Sequence, residues 1–179
     1  LKYLNLSNTN ITEIPPLVFS LTKLEYLHLN NNQITAIPPQ ITQLKHLKSL
    51  YIYNNQLTAL PKEIKDLTHL EVLNISKNNI AQLPDEITSL TQLHTLHASY
   101  NQLSSLPTNI GALENISVLT LNSNKLTNLP NSFSNLTGFL SSDYPQLDLS
   151  YNTFLSKHET DQLLSKFYPY NFIIHPNFN

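Results

Sequence analysis

Residues 47–69 read LKSLYIYNNQLTALPKEIKDLTH, and Leu70 opens the same pattern again. The apolar positions Leu47, Leu50 and Ile52 are followed by Asn55, then Leu57, then the pair Leu60-Pro61, then Ile64 and Leu67. Alternation of the kind seen at Leu27-His28-Leu29 or Leu4-Asn5-Leu6 is the period-2 signature of a short strand with one buried face. Asparagine suits the next corner because its amide can pair turn backbone groups that a sheet leaves unmatched. Proline then fixes φ and stops the strand from resuming. The spacing Ile41-Leu44-Leu47 predicts a helical turn on the way back.

Working outward, the pattern returns every 23 residues at Leu1, Leu24, Leu47, Leu70, Leu93 and Ile116. A seventh unit, with Leu147 and Leu149, arrives five residues late. Asn32, Asn55, Asn78, Asn101, Asn124 and Asn152 make one column, with Thr9 in the first unit. Pro15, Pro38, Pro61, Pro84, Pro107 and Pro130 make another. One such strand buries nothing alone, whereas stacked units share a parallel sheet with strands ~4.8 Å apart and a continuous core.

These columns, LxxLxLxxNxLxxLPxxIxxLxx, resemble the leucine-rich repeat in its 23-residue LPxxI form, over about residues 1–154. The resemblance implies an α/β fold: a curved solenoid with a parallel β-sheet on the concave face and short helical turns on the convex side. Seven repeats are expected to start near 1, 24, 47, 70, 93, 116 and 144, with residues 155–179 as a C-terminal cap. Ser156-Lys157-His158-Glu159 reads as a capping box opening a helix at about 157–167, whose Leu163, Leu164 and Phe167, with Leu155, would close the core. The apolar stretch Tyr168–Ile174 is assigned to the same cap. The delay falls in 137–143 and is expected to bulge from the return segment or the approach to the last strand. Ala98, standing where other repeats carry Leu or Ile, is expected to weaken the fifth unit. Because Leu1 already occupies the first position of a repeat, the chain is expected to be a fragment of a longer polypeptide.

Composition narrows the function. Ten basic residues, all Lys, against 12 acidic ones give a net charge of −2, which offers no basic footprint for nucleic acid or an anionic membrane. Without Arg there is no bidentate fork for phosphate. No apolar run approaches the ~20 residues of a membrane helix. Cysteine is absent, which excludes disulfides, thiolate metal sites and a cysteine nucleophile, and favours a reducing compartment or a bacterial source. Scarce Gly, absent Arg and abundant Asn are similar to the bacterial members of the family, which include secreted effectors of intracellular pathogens.

Residues suited to catalysis do not converge. His46 and His69 share a column one repeat apart, while His28 and His97 share a strand column roughly 14 Å apart at the parallel-strand spacing. No such pair shares a zinc at ~2.1 Å per ligand. Gly111 and Gly138 stand alone, so there is no phosphate loop, and no Gly-framed Ser elbow is present. The Asn-x-Ser/Thr matches at Asn74 and Asn115 follow from an Asn-rich repeat. The chain therefore reads as a non-enzyme with no cofactor and no metal.

The exposed strand positions remain. With the leucines inward, Tyr3, Tyr26, His28, Tyr51 and Tyr53 are expected as neighbours on the concave face, with Asn74 beside them and His97 and Tyr100 further along. Tyrosine suits a contact surface because it buries a large rigid area and keeps a hydroxyl to pair. It also stabilises a sheet with no partner at all. The expected function is a protein–protein interaction module binding a partner protein, such as a host protein, on that face. The repeat domain of a secreted bacterial effector fits, placing the chain in the host cell cytoplasm; otherwise it is expected to be cytoplasmic in its own cell. The alternative is a substrate-selecting regulatory segment of a larger enzyme whose catalytic domain lies outside this chain. A carbohydrate-binding adhesin ranks last, for want of Trp and flanking acids. The repeat pattern specifies no oligomeric state.

Overall fold

The computed structural model describes residues 1–154, 156–167 and 177–178. Seven parallel strands form one sheet in sequence order: β1 (Tyr3–Asn5), β2 (Tyr26–His28), β3 (Ser49–Tyr51), β4 (Val72–Asn74), β5 (Thr95–His97), β6 (Val118–Thr120) and β7 (Gln146–Asp148). Each is three residues long, too short to hold a partner by its own ladder, so register comes from the turn after each strand. Tyr3 lies opposite Tyr26, Tyr26 opposite Ser49, and Ser49 opposite Val72, a step of 23 residues each time. On the last step Val118 lies opposite Gln146, so the late seventh unit keeps the register. The result is the curved α/β solenoid the repeat implies.

The return segments are 3-10 turns rather than α-helix, as at Pro39–Gln43 and Lys62–Asp66. Prolines set their entry. Pro38 and Pro61 hold extended ψ of 156° and 147°, and their carbonyls accept the first turn bonds from the Ile41 and Ile64 amides. Inside, Leu27, Leu50, Leu73, Leu96 and Leu147 are fully buried, each worth about 2 kcal/mol of removed apolar surface, while Leu4 in the first unit is only partly buried. Ala98 is fully buried in the same stack.

The asparagine column joins the repeats. The Asn55 amide nitrogen donates to the carbonyls of Ile52 in its own repeat (3.1 Å) and Leu29 in the one before (3.0 Å). Its Oδ1 accepts the Ile34 amide at 2.9 Å. Asn78 repeats this with Ile75, Ile52 and Leu57. Each shared carbonyl thus takes bonds from two successive asparagines, and the chain of bonds runs from the Leu6 carbonyl to the Leu149 carbonyl.

The inserted residues lie on the return side, and of them only Phe139 is buried. Gly138–Ser141 form one turn of helix, α1, which sinks the Phe139 ring into the core. Gly138 permits this: a Cβ there would sit 2.4 Å from the Ile116 carbonyl oxygen. Gly111 has the same task against Ser132, where a Cβ would meet the carbonyl oxygen at 2.0 Å. Beyond β7, Thr153–Phe154 (β8) pairs with Asn177–Phe178 (β9), also in parallel. The helix α2 spans Lys157–Leu164 and tightens into a 3-10 turn at Ser165–Phe167, so the helical segment covers the expected residues 157–167. Leu164 and Phe167 are buried, and Phe167 meets Phe139 and Phe133 edge-on at 5.5 and 6.2 Å. Leu163 is only partly buried against the same core. Leu155 and Tyr168–Ile174 lie outside the described residues.

Asn78→Ala strips the Leu57 amide of its acceptor and removes one of two donors from each of two buried carbonyls. The expected cost is about 2–3 kcal/mol, read as a lower urea midpoint of unfolding.

Candidate concave binding face

The strand positions between the buried leucines form the concave surface. At one end of it an aromatic stack runs across the first three strands. The His28 ring lies between Tyr3 (centroids 5.1 Å, planes at 58°) and Tyr51 (4.6 Å, 42°). Tyr26 flanks the stack as the strand partner of Tyr3, and Tyr53 lies beyond Tyr51 where the third repeat leaves the sheet. Tyr3 and Tyr26 remain 50% and 39% exposed, enough to be contacted, while Tyr51 and Tyr53 are half-buried. The first three repeats therefore bring the five aromatic residues together.

The more C-terminal residues behave differently. The Asn74 side-chain oxygen accepts the Ser76 amide at 3.1 Å, bracing the exit of its own strand. Asn5 and Asp148 brace Ser7 and Ser150 in the same way. His97 Nδ1 is 3.0 Å from the Thr120 hydroxyl on the next strand. Tyr100 is not on the sheet. It stands at the corner past β5 with φ 55°, and 54% of it is exposed. It lies three residues past His97, at the edge of the concave face.

That corner is a feature the repeat columns did not announce. Asn8, Asn31, Asn54, Lys77, Tyr100, Ser123 and Tyr151 occupy equivalent positions, all with φ between 54° and 59°. The left-handed turn is imposed by neighbours: the Lys77 amide donates to Ser99 at 2.8 Å and the Tyr100 amide to Asn122 at 2.9 Å. The asparagines of the first repeats carried the signal, since Asn tolerates this conformation. Tyr and Lys in the later repeats hid it.

Electrostatically the face is quiet. On one rim Glu25 pairs with Lys2 at 2.6 Å and Lys48 at 3.6 Å, and the Lys2 hydrogen bond holds the carboxyl below its ordinary range. Burial lowers both His28 and His97 below their usual 6.5, so both favour the neutral ring. Among the described residues no cluster of three or more His, Cys, Asp or Glu could hold a metal. No helix among them is long and apolar enough to cross a membrane.

A leucine-rich-repeat region model matches residues 1–73 and 44–105. The match is to the family and does not single out its 23-residue form. Among solved structures, a leucine-rich-repeat protein of Leptospira interrogans superimposes with TM-score 0.81 and 38% identity over 90% of this chain. An internalin of Listeria monocytogenes gives 0.75 and 31% over 93%. The ectodomain of the Arabidopsis thaliana receptor kinase GASSHO1/SCHENGEN3, solved in complex with Casparian strip integrity factor 2, gives 0.74 and 34% over 86%. The chain spans 40%, 46% and 19% of these three structures respectively, less than half of each. No curated protein matches the chain.

Because His28 and His97 titrate lower when folded than when unfolded, the folded state takes up fewer protons as the pH falls. Their contribution is complete above 6.5 and is lost as pH drops through their folded values. The urea midpoint should fall between about pH 7.5 and about pH 5.5, and His97→Gln should flatten that dependence.

Proposed function

The chain belongs to the leucine-rich-repeat family, whose fold is typical of protein–protein interaction modules, and from that premise we propose that its concave face docks a partner protein. The observation that carries this reading is the Tyr3–His28–Tyr51 stack, set on a rigid sheet and flanked by Tyr26 and Tyr53. A stacked tyrosine surrenders little conformational freedom on binding and still offers a hydroxyl. Residues used for contact are Tyr3, Tyr26, His28, Tyr51 and Tyr53, with His97 two strands further along. Asn74 contributes chiefly by bracing its strand. The face carries few charges, which suits a protein surface rather than a polyanion.

The module acts by holding rather than by catalysis. Likeness to proteins of Leptospira and Listeria, together with the absence of Cys and Arg, supports a bacterial source and a role as the repeat domain of a secreted effector. Delivery to the host cytoplasm belongs to the same proposal. The rival reading, a substrate-selecting segment of a larger enzyme, is favoured by one fact: the solved relatives are more than twice as long as this chain.

Tyr51→Ala with Tyr53→Ala removes two of the five patch residues without touching a buried leucine. The expected result is a partner captured from host-type lysate by the wild type and lost by the variant, with unfolding free energies within about 1 kcal/mol of each other. Equal capture by both proteins would move the docking site off this face.

A further inference from the structure

Resting on the docking reading, we infer that Lys77 and Tyr100 form a carboxylate-capturing corner at the edge of the concave face, taking an Asp or Glu side chain of the docked protein. The Lys77 ammonium lies 5.8 Å from the centroid of the Tyr100 ring on the next repeat. A cation held against an aromatic face stays partly ordered while its remaining N–H donors face outward. Both residues are exposed.

Charge pairing leaves Lys77 available. Lys2 and Lys48, on the opposite rim, are already answered by Glu25. Lys77 has no carboxylate within ion-pair reach among the described residues. It adjoins Ser76 and Ser99, whose column includes Tyr53, so an acidic side chain reaching it would belong to a protein seated on the aromatic patch.

The backbone adds a second, independent mark. Both residues sit in the left-handed conformation, at φ 54° and 55°, where the first three repeats place Asn8, Asn31 and Asn54. Asn is the residue that tolerates this geometry, and it can also pair along the column, as Asn54 does with Asn31 at 2.8 Å. A lysine followed by a tyrosine gives up that tolerance and that ladder. What the exchange provides is a cation and a ring facing solvent beside the concave face.

The test uses a phage-displayed library of random peptides panned on the intact domain. Enriched peptides are then titrated against wild type, Lys77→Gln, Tyr100→Asn and Tyr51→Ala/Tyr53→Ala. The inference expects enriched peptides to carry Asp or Glu and Lys77→Gln to weaken them about tenfold, an effect that shrinks at high salt. Tyr100→Asn should weaken them too, with an unchanged or higher thermal midpoint, because Asn fits the turn. Peptides lost by the Tyr51/Tyr53 variant but indifferent to Lys77→Gln and Tyr100→Asn would overturn the corner and leave concave docking standing. A lower midpoint for Tyr100→Asn with unchanged binding would make the pair purely structural. Enrichment of no peptide by the wild type would count against docking on this face and against the corner with it.

Discussion

The asparagine at the turn out of each strand is the constraint on which the rest depends. Three-residue strands cannot fix their own register, and the turn after them leaves carbonyls and amides with no sheet partner. One buried amide answers three such groups and spans two repeats in doing so. Since every shared carbonyl takes a bond from the asparagine of its own repeat and from the next, no repeat can slide without breaking bonds on both sides. Leucine burial supplies the larger share of the energy, but burial is indifferent to small shifts along the stack. The amide ladder is directional and supplies the register.

The ladder also explains how the molecule absorbs its irregular unit. Between Asn124 and Asn152 the sequence carries five extra residues, yet Asn152 reaches the Leu121 and Leu149 carbonyls at 3.0 Å each. The extra length is taken up on the return side, where Gly138 lets α1 press against the preceding repeat and Phe139 fills space shared with Phe133 and Phe167. From sequence, a late strand with Gly138 before it reads as a loop, because four helical residues and one inward Phe leave no periodic trace.

What the sequence makes legible is whatever seven repeats repeat. The Leu, Asn and Pro columns recur in register, and so the strands, the corner and the return turns follow from them. The aromatic patch follows as well, because strand alternation assigns Tyr3, His28 and Tyr51 to one face. The unreadable features are those where one repeat departs from its neighbours. The left-handed corner was marked by Asn only in repeats one to three, and Tyr100 at that corner reads as one more concave aromatic. His97 gives no hint of Thr120 until the strands are paired. That the Asn74 oxygen turns back on its own strand is a rotamer choice, invisible to spacing.

These two kinds of position divide the labour of the molecule. A column that must bury Leu or pair Asn admits almost no variation, since an unpaired buried amide or an emptied leucine site costs a sizeable part of a domain's stability. A column facing the concave side or the corner is held in place by that framework and is free to change from repeat to repeat. Whatever specificity the chain possesses must therefore be written in the changes: tyrosines gathered at one end of the sheet, hydroxyl and amide side chains at the other, and a cation with a ring where asparagine would have been easier. The fold tolerates such departures because its stability is carried elsewhere. A residue that departs from the easy choice at an exposed, strained position is the place where selection for binding would leave its mark.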